Sequence, residues 1–206
     1  MTNPKERVTT IDLLRHGACE GGEIFRGSTD VALSDKGWQQ LRAATEPVKG
    51  WTRIVASPLQ RCARFAEELA QTRALPLQLH DDLREIHFGE WEGRAISDVM
   101  RDHGELLSQF WADPTHVTPP GGESMHQFGS RVRGVIEQLL QQHAGEHLLI
   151  VSHGAVIRLV MTHWLQMPMS AFSSIAVPYA ALSRFRIHER DGERPWIQLC
   201  LHRGEV

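Results

Sequence analysis

Three short stretches of this chain carry residues whose types and spacing could do chemistry. In "LLRHG" (13–17) an apolar run stops at Arg15, His16 and Gly17, placing a fixed cation beside a titratable imidazole. In "ASPLQR" (56–61) Ser57 ends a second apolar run and Arg61 follows one turn later. In "VSHG" (151–154) Ser152, His153 and Gly154 close a third. If these junctions converge, two guanidiniums and two imidazoles meet at one point, which is costly unless an anion sits among them. A phosphoryl group suits such a place. Arginine forks match its oxygens, and helix N-termini at Pro58 and Gly154 would add oriented amides. "REIHFGEWEG" (84–93) adds Glu85, Glu90 and Glu92, candidates for the proton donor that a phosphoester leaving group requires. Position alone does not separate the three, and solvation is the ordinary expectation for Glu90 and Glu92.

The elements that must position these residues follow from hydrophobic periodicity. "VTTIDLLR" (8–15), "RIVAS" (53–57), "LPLQL" (75–79) and "HLLIVS" (147–152) read as strands. Helices are expected from Asp35 to Val48 behind a Ser34 cap, and from Pro58 to Thr72. Others are expected from Ser97 to Trp111, after a Ser124 cap, and from Ala155 to Leu165. Residues 81–94 read as irregular, and 113–124 as a loop because prolines and glycines stand consecutively. "SRFRIHE" and "WIQLCL" across "RDGE" predict an antiparallel hairpin. Strands alternating with helices give an α/β fold, a three-layer α/β/α sandwich with a mostly parallel central sheet and an antiparallel edge. Ligands in such sheets collect beyond the carboxyl ends of the strands, where the three stretches lie.

Composition narrows the partners. The 206 residues carry a formal net charge of -3, with basic residues scattered, so nucleic acid and membrane are not expected partners. Cys19, Cys62 and Cys200 lack CxxC spacing, and no apolar signal core opens the chain, so a cytoplasmic protein without disulfide framework or metal is expected. His143 and His147 straddle a glycine and are not read as a metal pair. No cofactor is expected: neither a Walker A loop nor GxGxxG occurs, and no GxSxG elbow supports a serine hydrolase. "MPMSAF" and the C-terminal hairpin offer apolar surface on which a homodimer could form.

"LLRHG", "SPLQRCARFAEEL", "LREIHFGEWEG", "PPGGES" and "VSHG", in this order, resemble the histidine phosphatase superfamily, which includes cofactor-dependent phosphoglycerate mutases and acid phosphatases. Within it, "IFRGSTDVALSDKGW" and "FWADPTHVTPPGGES" are most similar to the bacterial alpha-ribazole phosphatase branch of cobalamin nucleotide-loop assembly. The resemblance implies a phosphoglycerate mutase-like fold over 1–206 as a single domain, and a metal-independent phosphomonoesterase. His16 would be the nucleophile, Glu85 the proton donor, and Arg15, Arg61, His153 and Gly154 the phosphate ligands. Ser28 and Thr29 lie where the family's first loop approaches phosphate, and equally suit a turn. Ala18 and Cys19 stand where many members carry glutamate and threonine; an inert small side chain is the ordinary expectation for Cys19, and the other reading is a thiol whose pKa nearby cations lower.

The expected substrate is a small phosphorylated molecule, alpha-ribazole 5'-phosphate first. A broad-specificity phosphatase, a mutase and a non-enzymatic phosphate-binding module are the alternatives. The chemistry requires His16 unprotonated and Glu85 protonated in the first step, and the neighbouring arginines should depress the His16 pKa.

Overall fold

The apolar run before His16 forms β1 (Arg7–Arg15) in the computed structural model, which describes residues 7–190 and 192–204. Its side chains alternate between two cores, Ile11 and Leu13 on one face and Leu14 on the other. The later strand β4 (His147–Ser152) is buried from Leu148 onward, as a strand covered on both faces must be. It pairs in parallel with β1 on one side and with β2 (Arg53–Ala56) on the other. A short β3 (Leu77–Leu79) extends the parallel part. The expected hairpin is present as β5 (Leu182–Glu189), antiparallel to β1, and β6 (Trp196–Arg203), antiparallel to β5. Asp191 of the "RDGE" turn lies outside the described residues. The order is β3-β2-β4-β1-β5-β6.

This order makes neighbours of the three strands that end in reactive residues. Arg15 stands opposite Ser152, and Ala56 opposite Val151, so their carboxyl ends finish level. The loops that follow all open on one edge of the sheet.

Helices α1 (Asp35–Thr45) and α2 (Gln60–Arg73) cover one face through Leu41, Phe65 and Leu69. On the other face lie α3 (Ile96–Ala112), α4 (Met125–Gln142) and α5 (Gly154–Trp164), burying Val99, Leu107, Phe128, Val132 and Ile157. Each large side chain so buried is worth about 1.5–3 kcal/mol, which holds the layers together. Ser34 and Ser124 cap α1 and α4 as expected, the latter in a capping box with Gln127.

Boundaries moved where local chemistry overrode periodicity. Helix α1 stops at Thr45 rather than Val48: Glu46 caps it, still helical with its N–H on the Arg42 carbonyl, and Pro47 has no N–H to carry the ladder further. Helix α2 starts at Gln60, not Pro58: Leu59 is its extended N-cap, and the Asp30 carboxylate accepts the Gln60 N–H at 2.8 Å. Helix α3 is interrupted at His103. Residues 81–94 contain two short 3-10 turns, Asp81–Leu83 and Gly89–Trp91. Phe172 of "MPMSAF" is buried, which removes it from any pairing surface, whereas Trp196 on edge strand β6 is exposed.

Candidate active site

His16 follows β1 and is fixed by its own backbone. Its N–H donates to the Ser152 carbonyl at 3.0 Å, and its carbonyl accepts from Ala180 N–H at 3.1 Å. Gly17 has no alternative: a Cβ there would collide with the Gly37 carbonyl of α1, and one on Gly37 with Ala18. The His16 Nδ1 lies 2.8 Å from the Gly17 carbonyl oxygen. A carbonyl only accepts, so Nδ1 carries the hydrogen and the lone pair resides on Nε2. Burial above all, then the Arg61 and Arg15 guanidiniums, push the imidazole pKa well below 6.5. The ring is therefore a neutral nucleophile with a fixed tautomer.

Beside it opens a cavity of about 640 Å³, with Arg15, His16, Arg26, Glu85, Gly154, Arg158 and Tyr179 on its polar side. Ile24, Phe25, Phe88, Phe110, Trp111 and Phe172 line the rest. Arg15 donates through Nη1 to the Val177 carbonyl at 2.6 Å and lies over the Tyr179 ring at 4.3 Å. Its buried Nε has no partner among the described residues. Such a cation is expensive unless something negative comes to meet it.

Glu85 approaches from the opposite direction. Its Oε2 accepts the Ala155 N–H of α5 at 3.1 Å, and Oε1 its neighbour's Ile86 N–H at 3.1 Å. Its placement comes from far along the chain. Arg131 of α4 donates to the carbonyls of Asp82, Arg84 and Glu85 and is paired with Glu123 at 2.7 Å. "PPGGES" braces the same segment: Glu123 N–H donates to the His87 carbonyl at 2.8 Å, and a Cβ on Gly89 would strike Pro120.

Arg61 and His153 form a second layer behind the wall. Both are fully buried, and neither lines the cavity. Arg61 Nε donates to His153 Nδ1 at 3.3 Å, so the ring's hydrogen sits on Nε2, which donates to Ser57 Oγ at 2.7 Å. The other Arg61 donors hold the carbonyls of Thr29, Arg26 and Gly27. Burial and then the charge of Arg61 keep His153 neutral, its pKa well below 6.5. The two histidine rings meet edge to face with centroids 5.4 Å apart. The expected convergence is present, but in depth rather than as a ring: Arg15, His16, Glu85 and Gly154 reach the cavity, and Arg61 and His153 stand behind.

Comparison with known proteins bears on this arrangement. The model of the Histidine phosphatase superfamily (branch 1) matches residues 11–197. The chain belongs to the histidine phosphatase superfamily. It is 33% identical over 187 residues to the Bifunctional protein Rv2228c of Mycobacterium tuberculosis, covering 88% of this chain and 51% of that protein. The chain thus spans about half the length of the first curated relatives it matches. It is 28% identical to the adenosylcobalamin/alpha-ribazole phosphatase of Escherichia coli, over 86% of this chain and 90% of that protein. The native structure of a mycobacterial glucosyl-3-phosphoglycerate phosphatase superposes with a TM-score of 0.84 at 25% identity, covering 96% and 98% of the two chains.

Several expectations for this member of the superfamily need correction. Ser28 and Thr29 do not face the cavity. Their amides and hydroxyls, with the Gly27 and Phe88 amides, all donate to the Glu92 carboxylate. Glu92 is therefore no solvated loop residue, whereas Glu90 is exposed as expected. Although burial opposes ionisation, these hydrogen bonds prevail and hold the Glu92 pKa below its ordinary value. The Gln60 and Leu59 amides at the start of α2 are not free for an anion, since Asp30 and Ser57 accept them. Burial raises the Cys19 pKa rather than lowering it, outweighing Arg26, Arg61 and Arg15. Sequence reasoning gave no role to Arg26, Arg158 or Tyr179. Arg158 had a readable signal, one helical turn beyond Gly154 on the same face.

Proposed function

We propose that the protein hydrolyses phosphomonoesters through a phosphohistidine on His16 Nε2. The reading rests on one observation above others: a neutral, buried imidazole with its lone pair on Nε2 sits beside an arginine whose buried Nε has no partner. The Nε2 lone pair attacks phosphorus as the bond to the ester oxygen breaks in line, and Glu85 as a carboxylic acid protonates the departing alkoxide. The resulting carboxylate then takes a proton from water, whose oxygen attacks the phosphohistidine and releases inorganic phosphate. Arg15 and the Gly154 amide at the α5 N-terminus receive the phosphoryl oxygens, and Arg61 and His153 support the charge from behind.

The substrate we propose is alpha-ribazole 5'-phosphate. The support is the named activity of the E. coli relative and a cavity wall of Phe25, Phe88, Phe110 and Trp111, which suits a planar heteroaromatic base attached to ribose. Turnover should be compared on alpha-ribazole 5'-phosphate, 3-phosphoglycerate and 4-nitrophenyl phosphate. A kcat/KM at least about a hundredfold higher for the first is expected, near 3 kcal/mol of differential transition-state binding. Equal low rates on all three would reduce the enzyme to a broad phosphatase. Rapid quenching into alkali should trap phosphate on His16, and no label in an active enzyme would overturn the covalent route.

A further inference from the structure

Arg26 is the least explained cation of the molecule. It lies in an irregular segment, yet is only 9% exposed and lines the same cavity as His16 and Arg15. Its Nη2 donates to the carbonyls of Glu20 (2.9 Å) and Gly22, and Nη1 approaches the Tyr179 hydroxyl at 3.5 Å. A guanidinium has five N–H groups. The buried Nε of Arg26 and one Nη1 hydrogen therefore remain without a partner among the described residues. Among the described residues no carboxylate is paired with it, although Glu23 and Glu85 line the same cavity. Arg15 repeats the pattern, with one Nη on a carbonyl and Nε unpartnered. The Tyr179 side chain joins the two, its ring under Arg15 and its hydroxyl against Arg26. Two cations held this close, at a cost in mutual repulsion, have the form of an anion clamp.

We infer that Arg26 is a third guanidinium of the phosphoryl site, contacting the transferred group together with Arg15 across Tyr179. This deepens the phosphatase reading and rests on it. The segment that carries Arg26 is built for accuracy. The carbonyls of Arg26 and Gly27 are held by Arg61, and the amides of Gly27, Ser28 and Thr29 by Glu92. A Cβ on Gly27 would collide with Ile86 and Glu92. Substrate, on this account, meets a direct layer of Arg15 and Arg26, while Arg61 positions the second of these through its backbone. Arg26 also adds to the charge that keeps His16 neutral.

The test measures binding of inorganic phosphate and orthovanadate by calorimetry, and turnover of 4-nitrophenyl phosphate, in the wild type, Arg26→Gln and Arg26→Lys. Arg26→Gln should weaken both anions about tenfold and lower kcat/KM by about 10- to 100-fold. Arg26→Lys keeps the charge but cannot bridge the Glu20 and Gly22 carbonyls, so it should retain more affinity than Arg26→Gln. If Gln serves as well as Lys, or if anion affinity is unchanged while only the KM of the aryl ester moves, the proposal is overturned. Arg26 would then brace the loop or touch the leaving group. Should Arg26→Gln fail to fold by circular dichroism, wild type against Arg26→Lys decides. Anion affinity within twofold then supports charge contact, and loss beyond tenfold refutes it. A wild type that binds phosphate yet turns over no ester defeats the enzymatic reading and leaves the clamp standing.

Discussion

Asp12 and Arg15 stand three residues apart on β1, both carry charge, and their surroundings are built to opposite plans. The Asp12 carboxylate is saturated. It accepts Trp51 Nε1 at 2.7 Å and His147 Nε2 at 3.0 Å, and Arg184 grips it with two donors at 2.7 and 2.8 Å. Burial opposes its ionisation, but these partners prevail and its pKa falls below 3.8. Arg15, in contrast, satisfies one donor and leaves Nε unengaged beside a histidine kept neutral. A buried charge that serves the fold has its partners within the fold. One that serves chemistry is left short of them, in the direction from which the ligand arrives.

The largest effect expected on the open side of this comparison is that of His16→Ala. Turnover of 4-nitrophenyl phosphate should drop by about 10⁴-fold or more, since no other group supplies the nucleophile. The melting temperature should stay close to that of the wild type, because the ring borders the cavity and the backbone hydrogen bonds that fix residue 16 remain. Residual activity within tenfold of the wild type would remove His16 from the mechanism.

On the saturated side the signs reverse. Asp12→Ala leaves the Arg184 guanidinium and the Trp51 and His147 donors without their acceptor, and should cost about 3–5 kcal/mol in urea unfolding. Activity per folded molecule should change little, because the Asp12 partners do not line the cavity. A loss of kcat as large as that of His16→Ala would erase the distinction. The pH dependence follows from the depressed pKa. The contribution of Asp12 is fully present above about 3.8 and is lost as pH falls below that value toward the folded pKa.

Glu92 tests a case between the two, saturated yet supporting the site. Glu92→Gln turns an amide NH₂ toward amide donors of residues 27–29 and 88, with an expected cost of about 1–3 kcal/mol in the order of that loop. The kcat/KM should fall about tenfold, with hydrogen exchange at residues 27–29 accelerated in the same variant. Faster exchange without a kinetic effect would separate the loop from catalysis.

The same division explains what the sequence made legible. Arg15, His16, Arg61 and His153 could be read because each stands at a strand end or in the first turn of a helix, and hydrophobic periodicity finds those places. Their adjacency stayed conditional at the level of sequence, and the strand order, with β4 between β2 and β1, supplies it. Glu85 needed family resemblance, because its placement depends on Arg131 and Glu123, beyond the reach of local pattern. Glu92 and Arg26 escaped for the same reason. The first loop is shaped by contacts 63 to 65 residues distant in sequence, and nothing in "IFRGSTD" alone says which side chain turns inward. The Ser28 and Thr29 hydroxyls were plausible phosphate ligands by type, and the Glu92 carboxylate claimed them.

The smallest effect concerns protons rather than rates, and it bears directly on the two layers of the site. His16 carries its hydrogen on Nδ1, donated to Gly17, whereas His153 carries its own on Nε2, donated to Ser57. Nitrogen-15 NMR of the imidazoles at pH 6.0 should show two neutral rings of opposite tautomer, although a free histidine would be mostly protonated there. Both folded pKa values lie well below 6.5, so the unfolded chain binds more protons at acid pH. Stability from these rings is therefore complete above about pH 6.5 and declines as pH falls below it, at up to about 1.4 kcal/mol per pH unit for each. Addition of orthovanadate should perturb His16 Nε2 strongly and His153 weakly, since only the first borders the cavity. Equal perturbation of both would mean that His153 turns from Ser57 to meet the anion, and the wall would then be a single layer.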